Sequence, residues 1–198
     1  MREDPLKKGS SSRAGIISPD EQELSRLVRS KDPDGIRCFY NRYAGYLTAV
    51  CSRYLTSKSD VEDTLQESFL LMIDHMGRFE YRGAGSLKAW ASRIVANQSL
   101  KLLRKNGRLT YVEDLPDREE EEDFSLPDIP PGVVQEMIRS LPDGYRTVFN
   151  LFVFEKKSHK EIAALLGIKA DTSASQFFRA RAALVRKIKD YLKEQHNG

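Results

Sequence analysis

Residues 158–189, SHKEIAALLGIKADTSASQFFRARAALVRKIK, decide the fold. They read as a short helix, a tight turn and a longer basic helix. Ser158 and Glu161 have capping-box spacing, in which the hydroxyl accepts from a first-turn amide and the carboxylate returns to the amide of the cap. Ile162, Ala163, Leu165 and Leu166 supply the apolar face, with Ala163 small where a second helix must cross closely. Gly167 offers the left-handed end of the helix. Asp171 or Thr172 can cap the next helix, whose inward positions (Ser173, Phe177, Ala180, Leu184, Ile188) recur every three to four residues. Its other face carries Ser175, Gln176, Arg179, Arg186 and Lys187, donors suited to base edges and phosphates. A helix-turn-helix that sets one helix in a DNA major groove has this layout. A helical hairpin with a solvated basic face is the plainer alternative.

The rest of the 198-residue chain supports a polyanion-binding reading. Its net charge of +3 is small, but the charge is segregated. Residues 88–108 hold six bases and no acid, 113–123 hold eight acids and one base, and 156–193 hold ten bases against three acids. Two basic modules separated by a segment that imitates a polyanion follow from this pattern. Cys38 and Cys51 form no CxxC pair, so each is expected as a reduced thiol. The longest apolar runs fall short of a membrane span and the amino terminus has no signal-peptide core, which points to a cytoplasmic protein without membrane insertion.

Helical periodicity runs through both modules. Residues 1–17 are polar and aperiodic, and are expected to form a flexible tail. Ser18, Pro19 and Glu21 read as a cap, a first-turn proline and a capping box. Asp32 and Pro33 open a longer helix with Ile36, Phe39, Tyr40, Tyr43, Leu47, Val50, Tyr54 and Leu55 inward. Ser59 and Glu62 open a third helix carrying Val61, Leu65, Phe69, Met72 and Met76. Residues 77–85 must be a loop, and Ser86 is placed to cap a helix to about Lys105 with Leu87, Trp90, Ile94, Val95 and Leu102 on its stripe. Residues 109–131 hold the acid run and the prolines of a flexible linker. Val133 to Leu141 and Tyr145 to Phe152 add two helices before the helix-turn-helix. The expected fold is all-α: a domain over 18–108 and a second over 132–194.

Several segments taken in order resemble one family. They are CFYNRYAGYLTAV, DVEDTLQESFLLM, the tryptophan helix SLKAWASRIVANQSLKLLRK, the acidic linker, IRSLPDGYRTVFNLFVFEKKSHKEIAALLG and RARAALVRKI. Together they resemble a bacterial RNA polymerase sigma factor of the extracytoplasmic-function type, which keeps only sigma regions 2 and 4. The resemblance spans roughly residues 20–192 and rests on the co-occurrence of the segments. It implies that Asp63, Gln66, Glu67 and Phe69, on an exposed edge of the third helix, dock on the clamp coiled-coil of the largest polymerase subunit. The flap of the second-largest subunit is a further implied contact. The loop 79–86 and the helix after it would recognise and melt the −10 element, with Phe79, Arg82 and Ser86 at the loop, Gly83, Gly85 and the rings of Phe79 and Tyr81 suited to a base pocket, Asn97 facing the extruded base, and Lys88, Lys101, Arg104 and Lys105 on phosphates. Lys160, Thr172, Ser175, Phe178, Arg179 and Arg181 would meet the −35 duplex. Here Phe177 takes the core register and leaves Phe178 outward. An anti-sigma partner is implied by the family alone.

The sequence departs from the family at Asp171, Ser173 and Ala174, so the −35 word is not transferable from relatives. Trp90 reads chiefly as a core anchor, and the linker reads equally as a strand lying in a basic polymerase channel or as a solubilising spacer. A stand-alone helix-turn-helix regulator with an N-terminal sensing domain is the alternative function, and a decoy with a degenerate DNA face a third. An enzyme is not expected, because His75, His159 and His196 lack metal-ligand spacing and no nucleophile–base pair or phosphate loop is present. No cofactor or metal is expected. His159 reads as a surface residue or a phosphate contact.

Overall fold

The computed structural model describes residues 19–109, 111 and 129–196. The expected tail and most of the acidic linker lie outside the described residues. Among the described residues there are eight α-helices and one 3-10 turn, and no strand. They are α1 (Glu21–Arg29), α2 (Pro33–Tyr54), α3 (Lys58–His75), the turn Met76–Arg78, α4 (Ser86–Lys105), α5 (Pro131–Arg139), α6 (Asp143–Val153), α7 (His159–Leu166) and α8 (Ala170–His196).

The first unit packs α1, α3 and α4 around the long α2. Leu24, Phe39, Leu47, Met72, Leu87 and Val95 are fully buried there, which gives the helices their shared interior. Gly35 permits the closest crossing: a Cβ built on it would lie 2.5 Å from the Leu27 Cβ. Trp90 is half-buried and packs on Phe79 with ring centroids 5.4 Å apart, so it anchors this core. The second unit has its own cluster of Ile138, Leu141, Ala180 and Leu184 where α5 and α6 meet α8.

Helix starts follow the expected chemistry at two places and shift at four. Asp32 caps α2 through the Gly35 amide at 2.7 Å, and the Ser158–Glu161 capping box is complete. Gly167 ends α7 at φ 71°. By contrast α1 is capped by Asp20, whose carboxylate takes the Glu23 amide at 2.8 Å, which leaves Glu21 free for another partner. Ser57 rather than Ser59 caps α3, because Ser57 is the residue with extended backbone. Ser86 is already helical, and the cap of α4 is Gly85 at φ 86°. Helix α8 begins at Ala170, so Asp171 sits in its first turn and Thr172 inside it.

The two units are docked on one another. The last carbonyls of α2 have no partner within that helix, and α6 supplies donors to them. Arg146 reaches the Tyr54 carbonyl through Nε at 3.3 Å and Nη2 at 3.0 Å, and Asn150 reaches the Arg53 carbonyl at 2.7 Å. One helical turn separates these donors on α6, so a single face caps α2. The Arg53 guanidinium lies 4.3 Å over the Phe154 ring. Val148, Leu151 and Ile162 join the core of the first unit, and Arg104 at the end of α4 donates to the Leu165 carbonyl.

Candidate nucleic-acid and partner interfaces

The loop after α3 and the outer face of α4 make the first basic surface. Arg93, Asn97, Lys101 and Arg104 are exposed and succeed one another at three to four residues, so they line one helix face. Lys88 is exposed beside them, its Nζ held 4.0 Å over the Tyr46 ring. Arg93 was not among the expected site residues, although its place one turn before Asn97 marks it. Arg82 is exposed and pairs with Glu80 at 2.9 Å, while its amide donates to the Ser86 hydroxyl at 3.2 Å. Tyr81 stands outward at the loop tip.

Phe79 departs from expectation. It is 5% exposed, folded beneath Trp90, and so cannot hold an extruded base. An aromatic ring following a helical turn gains more by joining the core than by facing water, and here it seats the loop. Arg104 also differs: its guanidinium is engaged with the Leu165 carbonyl.

The second basic surface lies on α7 and α8. Lys160, Ala174 and Arg181 are exposed, and Phe178 and Arg179 are half-exposed. Phe177 turns inward against Phe152 at 4.4 Å and Phe149 at 6.0 Å, as its register required, leaving Phe178 outward. Thr172 and Ser175 are buried, against expectation, as is Gln176. The Ser175 hydroxyl donates to the Thr172 carbonyl at 3.0 Å, so a backbone group inside the helix satisfies it and it need not face a base edge. Tyr111 lines a cleft with Gly167, Ile168, Lys169 and Thr172, at the turn of the helix-turn-helix. His159 is half-buried, stacked on Phe152 at 4.6 Å and hydrogen-bonded to Ser173 at 3.0 Å. Burial holds its pKa below the ordinary histidine value.

A third surface runs along α2 and α3. Asp63, Gln66 and Glu67 are exposed on α3. Phe69 is not on that edge. It is 7% exposed and packs edge-on to Phe39 at 5.8 Å and against Tyr40 at 4.8 Å. Its spacing with Leu65 and Met72 puts it on the inner stripe. The large apolar side chains that do face solvent are Tyr40 and Leu70, at 52% and 60% exposure. They flank a groove floored by Val61, Leu65 and Phe69 and closed at one end by Arg139 of α5. Leu70 shares the face of Asp63, Gln66 and Glu67 by helical spacing, a signal present in the sequence but not used.

Among the described residues no three His, Cys, Asp or Glu side chains converge in a metal-binding arrangement, and no helix is long and apolar enough to cross a membrane. The described residues present two basic helix faces and an apolar groove edged with carboxylates.

Comparison with known proteins gives these surfaces a context. Residues 39–109 match Sigma-70 region 2 and residues 132–184 match Sigma-70, region 4. The chain is 27% identical over 182 residues to the ECF RNA polymerase sigma-E factor of Haemophilus influenzae, covering 85% of this chain and 95% of that protein. It is 26% identical over 193 residues to the RNA polymerase sigma-H factor of Pseudomonas aeruginosa, covering 90% and 99%. Among solved structures it is similar to the sigma factor RpoE of Bartonella quintana in complex with the anti-sigma factor NepR, with a TM-score of 0.45, 22% identity, and coverage of 76% and 96%. With both regions matched in order over the two helical units, the chain belongs to the sigma-70 family, as a factor of the extracytoplasmic-function type.

Proposed function

We propose that the chain is the promoter-specificity subunit of RNA polymerase, with its three surfaces divided between polymerase and DNA. The observation that carries this is the pairing of a region 2 match and a region 4 match, each with its own exposed basic helix face. The groove beside α3 docks core polymerase, with Tyr40 and Leu70 as apolar anchors and Asp63, Gln66 and Glu67 toward basic groups of the partner's clamp. Residues 18–108 recognise and melt the −10 element: Tyr81, Arg82 and Ser86 stand at the loop, and Arg93, Asn97 and Lys101 follow the strand along α4. Residues 132–194 read the −35 duplex through Phe178 and Arg179, with Lys160 and Arg181 on phosphates, which position the helix without reading sequence. An anti-sigma protein that covers the groove and the basic faces is the regulatory partner. The protein acts in the cytoplasm and carries out no chemistry of its own, since the polymerase forms the bonds.

The test is reconstitution. Purified chain added to core polymerase should give discrete transcript starts, each preceded by the same two sequence elements. Failure to bind core polymerase, or starts no different from core alone, would overturn the reading. Tight duplex binding by the free chain with no dependence on polymerase would instead identify a stand-alone regulator.

A further inference from the structure

We infer that α1 is a clamp that sets the loop of residues 79–85, with Glu21 and Arg29 as positioning residues for −10 recognition. This rests on the −10 role proposed above for the loop and α4. Helix α4 starts at a glycine with positive φ, which has no side chain to cap the helix. The cap comes instead from Glu21, 64 positions earlier. Its Oε2 accepts from the Gly85 amide at 2.7 Å and the Leu87 amide at 3.3 Å. Its Oε1 accepts from the Lys88 amide at 3.4 Å and the Tyr43 hydroxyl at 2.8 Å. A carboxylate at the positive end of a helix is favoured by charge as well as by hydrogen bonds.

The other end of the loop is tied to the same helix. Arg29 donates to the Phe79 carbonyl at 2.9 Å, and the Phe79 ring is locked under Trp90. Both ends of the loop are therefore fixed to the two ends of α1, while Glu80, Tyr81, Arg82 and Ala84 stand exposed between them. With its ends fixed, the tip presents its side chains from one place. If the Glu21 tie is cut, the amides of Gly85, Leu87 and Lys88 lose their partner and the tip gains freedom, while the rest of α4 keeps its packing.

The test pairs Glu21→Gln with the parent chain in holoenzymes transcribing a promoter library randomised in both elements. The expected result is a change of about tenfold in relative use of bases within the −10 element, the size of one charge-assisted hydrogen bond. Preference in the −35 element and affinity for core polymerase should stay as in the parent. Amide exchange supplies a readout independent of DNA: Gly85, Leu87 and Lys88 should exchange faster in the variant, with Val95 and Leu100 unchanged. Glu21→Asp, which keeps the charge, should restore part of the preference. A uniform loss across the library, or faster exchange with −10 preference unchanged, would overturn the clamp. A parent that directs no promoter-specific starts would count against the proposed function instead.

Discussion

Arg146 offers the sharpest test of how the two units are held. It is 2% exposed, and burial works against its charge and lowers its pKa, with Asp143 opposing. Its guanidinium donates to the carbonyls of Tyr54, Arg139 and Leu141 and pairs with the Asp143 carboxylate. Arg146→Ala leaves three carbonyls without that donor and a carboxylate without its cation. Removing one member of a buried ion pair costs roughly 3–5 kcal/mol, and each stranded buried group about 1–3 kcal/mol before relaxation. Asp143 can rehydrate, since a quarter of its side chain is exposed, so the net loss should be about 4 kcal/mol. At a urea slope of about 2 kcal/mol/M the midpoint falls by about 2 M. Trp90 fluorescence reports the first unit and far-ultraviolet circular dichroism reports both, and both should shift because the guanidinium bonds across the interface. Arg146→Lys keeps the charge but not the planar fork, and should recover less than half of the loss. A loss under about 1 kcal/mol, or a shift seen by circular dichroism alone, would refute the reasoning.

Gly35→Ala should lower the melting temperature, because overpacking against Leu27 costs about 1–3 kcal/mol against a helix-propensity gain of at most about 1 kcal/mol. Gly45→Ala, in the same helix with open space at its Cβ, should raise it, and equal signs for the two would sink the packing argument. The Ser158 hydroxyl and amide hold the Glu161 carboxyl below its ordinary value of 4.5. Its stabilisation is thus present above that value and lost as pH falls through the lower folded value. Glu161→Gln should therefore cost stability at about pH 6 and nearly nothing at about pH 2, and an equal deficit at both would exclude this linkage. Burial pushes the Cys51 thiol up to about 11, and it lies 3.5 Å from the Ser99 hydroxyl. At pH 8 only about one Cys51 in a thousand is thiolate. A thiol reagent should modify Cys38 alone until denaturant is added, and rapid loss of both thiols would contradict the burial.

How far the chain could be read without its structure depends on how local each signal is. The Ser158–Glu161 box, the Asp32 cap and the Gly167 end involve partners within a few residues, and all three were legible. The cap of α4 was not, because its acceptor lies on another helix and Ser86 next door looked sufficient. Phe69 reads as a partner contact although its spacing with Leu65 and Met72 places it inward, and Phe79, in the loop, reads as a DNA contact. An aromatic ring suits both roles, and only packing distinguishes them. Ser175 and Gln176 are polar and read as outward, yet both are buried at the amino end of α8. The exposed face of α4 was legible in part: Asn97, Lys101 and Arg104 follow from the family resemblance, and Arg93 shares their face by helical spacing.

The cap that α6 places on the end of α2 bears on how freely such proteins can be recombined. Regions 2 and 4 look like interchangeable parts, since each has helices of its own and a polar tether joins them. Yet the last turn of α2 is completed by two side chains on the other part, Arg146 and Asn150. A chimera that grafts a foreign region 4 here inherits bare carbonyls at Arg53 and Tyr54 unless the graft brings donors one turn apart at the same places. The seam between the modules is thus an integral piece of this protein's α2, and a cut through the tether alone does not separate them cleanly.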